Sequence, residues 1–289
     1  MDASTGGWQA PMAPLDGFMF DLDGTLALGH RAGGGYELLP GAAEVLTALN
    51  DRGVPFVVLT NGSAYPASVQ APVLRAAGLP VEDHQMLTPS SVTADYLARR
   101  GVKRCLVLGS RGVGHALAEA GVETVFTGDP DTTDVEAVYV GWHPDCGMKD
   151  IDAACQAIWN GAKLYVASDV PFFATREGRS IGYSHAIVAA IRSLAPVRKT
   201  ITGKPSMHAM RFVARKLGVP MHRIGVVGDD PQLETYMARK AGAMGFGVTT
   251  GIRKAEDWAA QPPANRPHRL LTVVGDLLTS GAIPEPARP

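Results

Sequence analysis

Three short apolar runs, each stopped by a polar cluster, limit this chain to a parallel α/β fold. Gly17-Phe18-Met19-Phe20 stops at Asp21-Leu22-Asp23-Gly24-Thr25, and Val54-Pro55-Phe56-Val57-Val58-Leu59 stops at Thr60-Asn61-Gly62-Ser63. Ile224-Gly225-Val226-Val227-Gly228 stops at Asp229-Asp230. Unbroken apolar runs of this length read as strands buried on both faces. Behind Pro40-Gly41, Ala42, Val45, Leu46 and Leu49 recur at i, i+3, i+4 and i+7, the pattern of an amphipathic helix. Strand, helix and strand in that order imply a right-handed parallel crossover. Ligands in open parallel sheets sit at the carboxyl ends of strands, so three strand ends that carry polar groups point to one crevice.

Burying a carboxylate is costly unless a metal, a proton or hydrogen bonds compensate it. A strand that delivers Asp21 and Asp23 two residues apart therefore suggests a site. One carboxylate of such a pair can attack phosphorus, and like-charge repulsion can keep the other protonated as an acid. The same residues also fit a strand followed by a plain Asp-Gly turn. Thr202-Gly203-Lys204-Pro205-Ser206 adds a lysine just before a helical pattern. A nucleophile, hydroxyl and amide donors, a fixed cation and a further carboxylate are the parts that phosphoryl transfer needs, usually with a divalent metal.

Asp-Leu-Asp-Gly-Thr, Thr-Asn-Gly-Ser, Gly-Lys-Pro-Ser and Gly-Asp-Asp, in this order from about Leu15 to Gly251, resemble the four motifs of the haloacid dehalogenase superfamily of hydrolases. The chain is most similar to the subclass of nucleotide and 4-nitrophenyl phosphatases, which carries a large α/β cap between the second and third motifs. The interval from Ser63 to Lys204 is long enough to hold one. The resemblance implies a doubly wound, Rossmann-like parallel-sheet core with an inserted α/β cap domain. The core is expected over 14–87 and 183–281 and the cap over 88–182, with 1–13 and 282–289 as flexible tails.

The resemblance also implies roles. Asp21 would be the nucleophile that forms a phosphoaspartate, and Asp23 the acid and base that serves the leaving group and then water. Thr60, Asn61 and Gly62 would bind the phosphate, and Lys204 would offset its charge. Asp21, Asp23, Asp229 and Glu234 would form the Mg²⁺ site. Dehalogenases of this fold lack the second aspartate, so Asp23 argues for a phosphate ester over a halide. The expected activity is Mg²⁺-dependent hydrolysis of a small phosphorylated metabolite, with a homodimer through the cap. A non-catalytic phosphometabolite-binding protein is the alternative of another class, and halide release or phosphoryl transfer to another acceptor is a third.

The chain departs from the family in several places. Glu234 stands where relatives commonly carry an aspartate, and Asp230 where they often carry an asparagine. Ser168-Asp169-Val170-Pro171 replaces a Thr-Asn-x-Asp run, and Ile181-Gly182-Tyr183-Ser184-His185 replaces a Pro-Gly-x-Gly run. His185 fits either a contact to a substrate hydroxyl or second anionic group, or a capping and packing role. Phe172-Phe173 fits either stacking on a ring or plain packing.

Bulk properties exclude more than they identify. Lys plus Arg number 27 against 28 Asp plus Glu, so no basic excess points to nucleic acid or an acidic membrane surface. No apolar stretch approaches the ~18 residues of a membrane span. Cys105, Cys146 and Cys155 are odd in number and lack a Cys-x-x-Cys spacing, which reads as free thiols in a cytoplasmic protein. His115, His143, His208, His222 and His268 show no metal-ligand spacing such as His-x-x-x-His. Gly109-Ser110-Arg111-Gly112-Val113-Gly114 reads as a plain turn rather than a dinucleotide loop.

Overall fold

The computed structural model describes residues 13–29, 35–175 and 178–285; the side chains of 173–179 also fall outside the described set. The chain begins with β1 (Gly17–Phe20), β2 (Ala27–Gly29), β3 (Tyr36–Leu38), α1 (Ala42–Asp51), β4 (Phe56–Leu59) and α2 (Ala67–Ala76). It continues through β5 (Met86–Leu87), α3 (Pro89–Ala98), β6 (Arg104–Leu108), α4 (Arg111–Glu119), β7 (Glu123–Val125) and β8 (Ala137–Val140). Then come α5 (Met148–Trp159), β9 (Lys163–Val166), β10 (Phe172–Thr175), β11 (Gly178–Ile181), α6 (Tyr183–Leu194) and β12 (Lys199–Ile201). The last part holds α7 (Met207–Leu217), β13 (Ile224–Gly228), α8 (Tyr236–Ala241), β14 (Met244–Val248), α9 (Ala255–Ala259) and β15 (Arg269–Leu271). No helix among the described residues is long and apolar enough to cross a membrane.

The residues group into two compact units. The first comprises Met1–Leu59, Val73–Gln85 and Val213–Pro289; the second comprises Thr60–Pro72 and Met86–Phe212. In the first, strands lie side by side in the order β15-β14-β13-β1-β4, all parallel. The chain winds from β1 outward to β4 on one side, and from β13 through β14 to β15 on the other. The sheet therefore reverses its order between β1 and β13, and a doubly wound sheet opens its ligand crevice at such a point. β1 and β13 are buried along their whole length, as continuous apolar runs in a covered sheet should be. Phe18 pairs in register with Gly225, and its ring fills the place of the missing side chain: a Cβ there would stand 2.6 Å from two ring atoms.

The second unit has its own parallel sheet in the order β12-β9-β8-β6-β7. Alternate residues of its strands feed opposite faces. Leu106, Leu108, Val138, Val140, Leu164 and Val166 pack with Ile151 and Cys155 of α5 and with Ile187 and Ile191 of α6. Cys105, Val107, Tyr139 and Tyr165 pack with Leu97 of α3 and with Val113 and Leu117 of α4. The result is a three-layer α/β/α unit. Because α6 covers one face of this sheet and β12 extends its edge, the unit takes in 183–212, residues the sequence reading gave to the core.

Thr88 is the N-cap of α3: its hydroxyl accepts from the Ser91 N–H, with Pro89 at the first helical position. β2 and β3 form an antiparallel pair, while 30–34 between them lies outside the described residues. After β15 the chain forms a 3-10 helix, Val274–Thr279. Of the expected tails, 1–12 and 286–289 lie outside the described residues. Ala282 and Ile283 are buried, and the Ala282 carbonyl accepts from the Leu15 N–H at 2.9 Å, so order extends past 281.

The Phe18–Gly225 fit makes a stability prediction. Gly225→Ala places a methyl against a fully buried ring, an overpacking cost of about 1–3 kcal/mol. The stiffer unfolded chain returns at most ~1 kcal/mol. The urea unfolding midpoint should fall; an unchanged midpoint would show that the Phe18 ring yields freely.

Candidate active site

The acids of the first unit are set by neighbouring strand ends. One residue beyond β1, the Asp21 N–H donates to the Val227 carbonyl of β13 at 2.9 Å, and its Oδ2 accepts from the Thr25 hydroxyl at 3.1 Å. The chain between them turns tightly. The Thr25 and Leu26 N–H groups return to the Leu22 carbonyl, and Gly24 takes a φ of 88°, which glycine adopts without penalty. Asp23 is half-buried, with a carboxylate oxygen on the side of Gly29 in β2.

Asp229 follows β13 directly and is 5% exposed. Burial is the first cause that lifts its carboxyl well above the usual range, and the negative charges of Asp21, Glu234 and Asp230 add to it. The Ile252 N–H, donating to Asp229 Oδ2 at 2.8 Å, works against that rise. The loop after β14 wraps this carboxylate closely. A Cβ on Gly251 would stand 1.9 Å from Asp229 Oδ2, and one on Gly24 would stand 2.5 Å from it. The Thr250 hydroxyl ties the same loop to the Gly24 carbonyl at 2.7 Å.

Glu234 sits in a π-helical turn, Pro231–Thr235, that Asp230 opens by capping the Gln232 N–H. Glu234 is 1% exposed, and its Oε2 accepts from the Asp230 N–H at 3.2 Å. Asp230 thus shapes the turn that holds Glu234. The structure therefore gathers Asp21, Asp229 and Glu234. Buried carboxylates in mutual repulsion are an oxygen-only donor set, and such a set fits hard divalent cations, Mg²⁺ among them.

The second unit holds the other expected residues. Thr60 directly follows β4 in the chain; its N–H donates to the Leu87 carbonyl at 3.3 Å and its hydroxyl accepts from the Gly62 N–H at 2.9 Å. The Asn61 amide grips the backbone of Lys204 at two points. Its Oδ1 accepts from the Lys204 N–H at 2.8 Å and its Nδ2 donates to the Lys204 carbonyl at 3.0 Å. The Asn61 side chain thus positions Lys204, which leaves the expected phosphate contact to its backbone amide. Gly203 makes this approach feasible, since a Cβ there would stand 2.6 Å from Asn61 Oδ1 and 2.3 Å from the Ala167 carbonyl oxygen. Lys204 is 1% exposed, far from the usual solvated lysine. Ser63 fixes the far end of the loop by accepting from the Trp142 N–H at 2.9 Å.

His185 opens α6 with its Nδ1 3.0 Å from both the carbonyl and the Oδ1 of Asp169, and Lys199 Nζ stands 2.6 Å from the same Oδ1. That is an orienting role on the protein itself. Phe172 lies exposed on the β10–β11 hairpin, and the Phe173 side chain is outside the described residues. Sequence reasoning missed Thr250, Gly251 and Ile252. The signal was present: Met244–Val248 is a further apolar strand, and it too stops on a polar turn.

Comparison with known proteins gives the family. A model of the haloacid dehalogenase-like hydrolases matches residues 18–123, and an HAD-hydrolase-like model matches 201–277. The chain is 27% identical to the 5'-nucleotidase YutF of Bacillus subtilis over 85% of this chain and 91% of that protein. It is 28% identical to the human glycerol-3-phosphate phosphatase over 86% of this chain and 83% of that protein. Among solved structures, a glycerol phosphate phosphatase of Mycobacterium tuberculosis in complex with magnesium superposes with a TM-score of 0.79 at 25% identity. That match covers 93% of this chain and 76% of the other. The two matched segments carry Asp21, Thr60, Lys204 and Asp229, and 124–200 of the second unit lies between them: the chain belongs to the haloacid dehalogenase-like hydrolases, in the subclass of nucleotide and 4-nitrophenyl phosphatases.

Proposed function

We propose that this chain is a cytoplasmic, Mg²⁺-dependent phosphatase that hydrolyses a small phosphomonoester. The observation that carries the reading is the buried trio of Asp21, Asp229 and Glu234, whose burial and mutual repulsion lift the Asp229 carboxyl and would be offset by a hard divalent cation. The relatives' names support the substrate class, since they describe enzymes for nucleotides and glycerol phosphate. Three free thiols support the compartment.

Asp21 attacks phosphorus through a carboxylate oxygen. A P–O bond forms to Asp21 as the bond to the substrate oxygen breaks, and Asp23 gives its proton to the departing alkoxide. Asp23 then takes a proton from water, which attacks the phosphoaspartate and restores Asp21. The Thr25 hydroxyl, donating to Asp21 Oδ2, orients the attacking carboxylate. Asp21, Asp229 and Glu234 would hold Mg²⁺, which neutralises charge on the transferring group. Thr60 and Lys204 bind the phosphoryl oxygens, and Asn61 acts through Lys204 by fixing its backbone. These latter roles rest on the family motifs.

Asp21→Asn should cut turnover of 4-nitrophenyl phosphate by about a thousandfold or more, and chelation should abolish it until Mg²⁺ is restored. Turnover retained in the variant would remove Asp21 as nucleophile. Wild-type protein without metal-dependent turnover would favour a phosphometabolite-binding protein. A second prediction concerns the loop after β14. Gly251→Ala pushes a methyl into Asp229 and should raise the Mg²⁺ concentration for half-maximal activity about tenfold, with the circular dichroism unchanged. An unaltered Mg²⁺ dependence would show that this loop does not hold the ligand.

A further inference from the structure

The second unit carries a constellation that takes no part in the phosphatase chemistry. After β8 the chain turns through His143-Pro144-Asp145-Cys146-Gly147 into α5. The Cys146 N–H donates to the His143 carbonyl at 3.3 Å, which folds the cysteine back towards the histidine. The Gly147 N–H donates to Asp150 Oδ2 at 2.8 Å and fixes that carboxylate. The remaining oxygen, Oδ1, stands 3.5 Å from His143 Nε2. One imidazole nitrogen, one thiol sulfur and one carboxylate oxygen thus lie within 4.8 Å of one another, on three half-buried residues. Beside them the enclosed Thr127 hydroxyl has no hydrogen bond of good geometry, yet it lies close enough to Asp150 to favour its ionised form.

We propose that His143, Cys146 and Asp150 bind one divalent transition ion of the zinc class, with water in the fourth position. Nitrogen and oxygen ligands at ~2.0–2.1 Å from a tetrahedral ion stand about 3.3 Å apart, close to the separation already present between His143 and Asp150. Bringing the sulfur in, from within 4.8 Å of both, takes a shift of at most about 1 Å. Thiolate, imidazole and carboxylate together select zinc-like ions, whereas Mg²⁺ and Ca²⁺ take oxygen ligands. Helix capping accounts for Asp150, and the pairing with Asp150 accounts for His143. The Cys146 Sγ, 4.0 Å from the Gly147 carbonyl oxygen, is left within 4.8 Å of both. Burial and the Asp150 charge push the Cys146 thiol up to about 11, so ion binding exchanges the metal–sulfur bond for the S–H bond and releases that proton to solvent. The bound ion pins the β8–α5 connection to the start of α5.

The test uses the full chain, reduced, stripped with chelator and kept in excess Mg²⁺ to fill the acidic site. Co²⁺ should produce a thiolate-to-cobalt charge-transfer band in the near ultraviolet that saturates at one equivalent, and Zn²⁺ should bleach it. Cys146→Ser should abolish the band while leaving Mg²⁺-supported turnover of 4-nitrophenyl phosphate intact. His143→Ala should weaken Co²⁺ binding about tenfold or more. No band in the parent protein, or a band that survives in Cys146→Ser, overturns the assignment.

Discussion

Crowding of carboxylates at the ends of β1 and β13 is the constraint on which the first unit depends. Two unit charges ~4 Å apart repel by about 4 kcal/mol at the effective dielectric of a partly buried pair. A hydrogen bond to a charged group returns about 1.5–3 kcal/mol. The Ile252 N–H on Asp229 and the Thr25 hydroxyl on Asp21 therefore offset part of the repulsion and leave the rest for a cation. The sheet order supplies the crowding. Adjacent parallel strands must end side by side, and the register that pairs Phe20 with Val227 sets Asp21 against the end of β13. A fold held together by its apolar strands is thus used to hold together groups that repel.

The second unit answers a different physical demand. Its sheet alternates two apolar faces, one beneath α5 and α6 and the other beneath α3 and α4, so it carries a core of its own. The same unit holds the Asn61–Lys204 clamp. Burying a lysine is costly unless its ammonium is balanced, and two side-chain-to-backbone bonds leave its chain path little freedom. Preorganisation of this kind puts the cost of ordering into folding rather than into the reaction.

Much of the fold was legible because it depends on patterns that local sequence carries. The apolar face of α1 followed from spacing alone, and Ile224–Gly228 is a strand over the residues expected. The short strands β7, β10, β11, β12, β14 and β15 were not found. β12, with Lys199-Thr200-Ile201, is a strand because it completes an edge beside β9, which no local property announces. The acidic motifs were legible as strand ends. The Gly251 cradle was not, because a glycine's part in holding Asp229 is a property of the space it leaves. His143, Cys146 and Asp150 were passed over for a related reason: their spacing of three and four residues crosses a turn into a helix, so no single periodicity brings them together.

Glu234 shows how one departure from family pattern is accommodated. A glutamate at this position carries one more methylene than the aspartate that the motif resemblance leads one to expect, and a fully buried site has no room to spare for it. The extra length lies across Gly228. A Cβ on Gly228 would stand 2.1 Å from Glu234 Cγ, 2.5 Å from its Cβ and 2.6 Å from its Cδ. The π-helical turn over Pro231–Thr235 adds a residue's worth of backbone where an α-helical start would run tighter, and the Asp230 N–H holds Glu234 Oε2. A wider turn, a missing side chain at Gly228 and one backbone hydrogen bond together let the longer acid reach the same cluster. The substitution is therefore one of shape and leaves the charge at the strand end as it was.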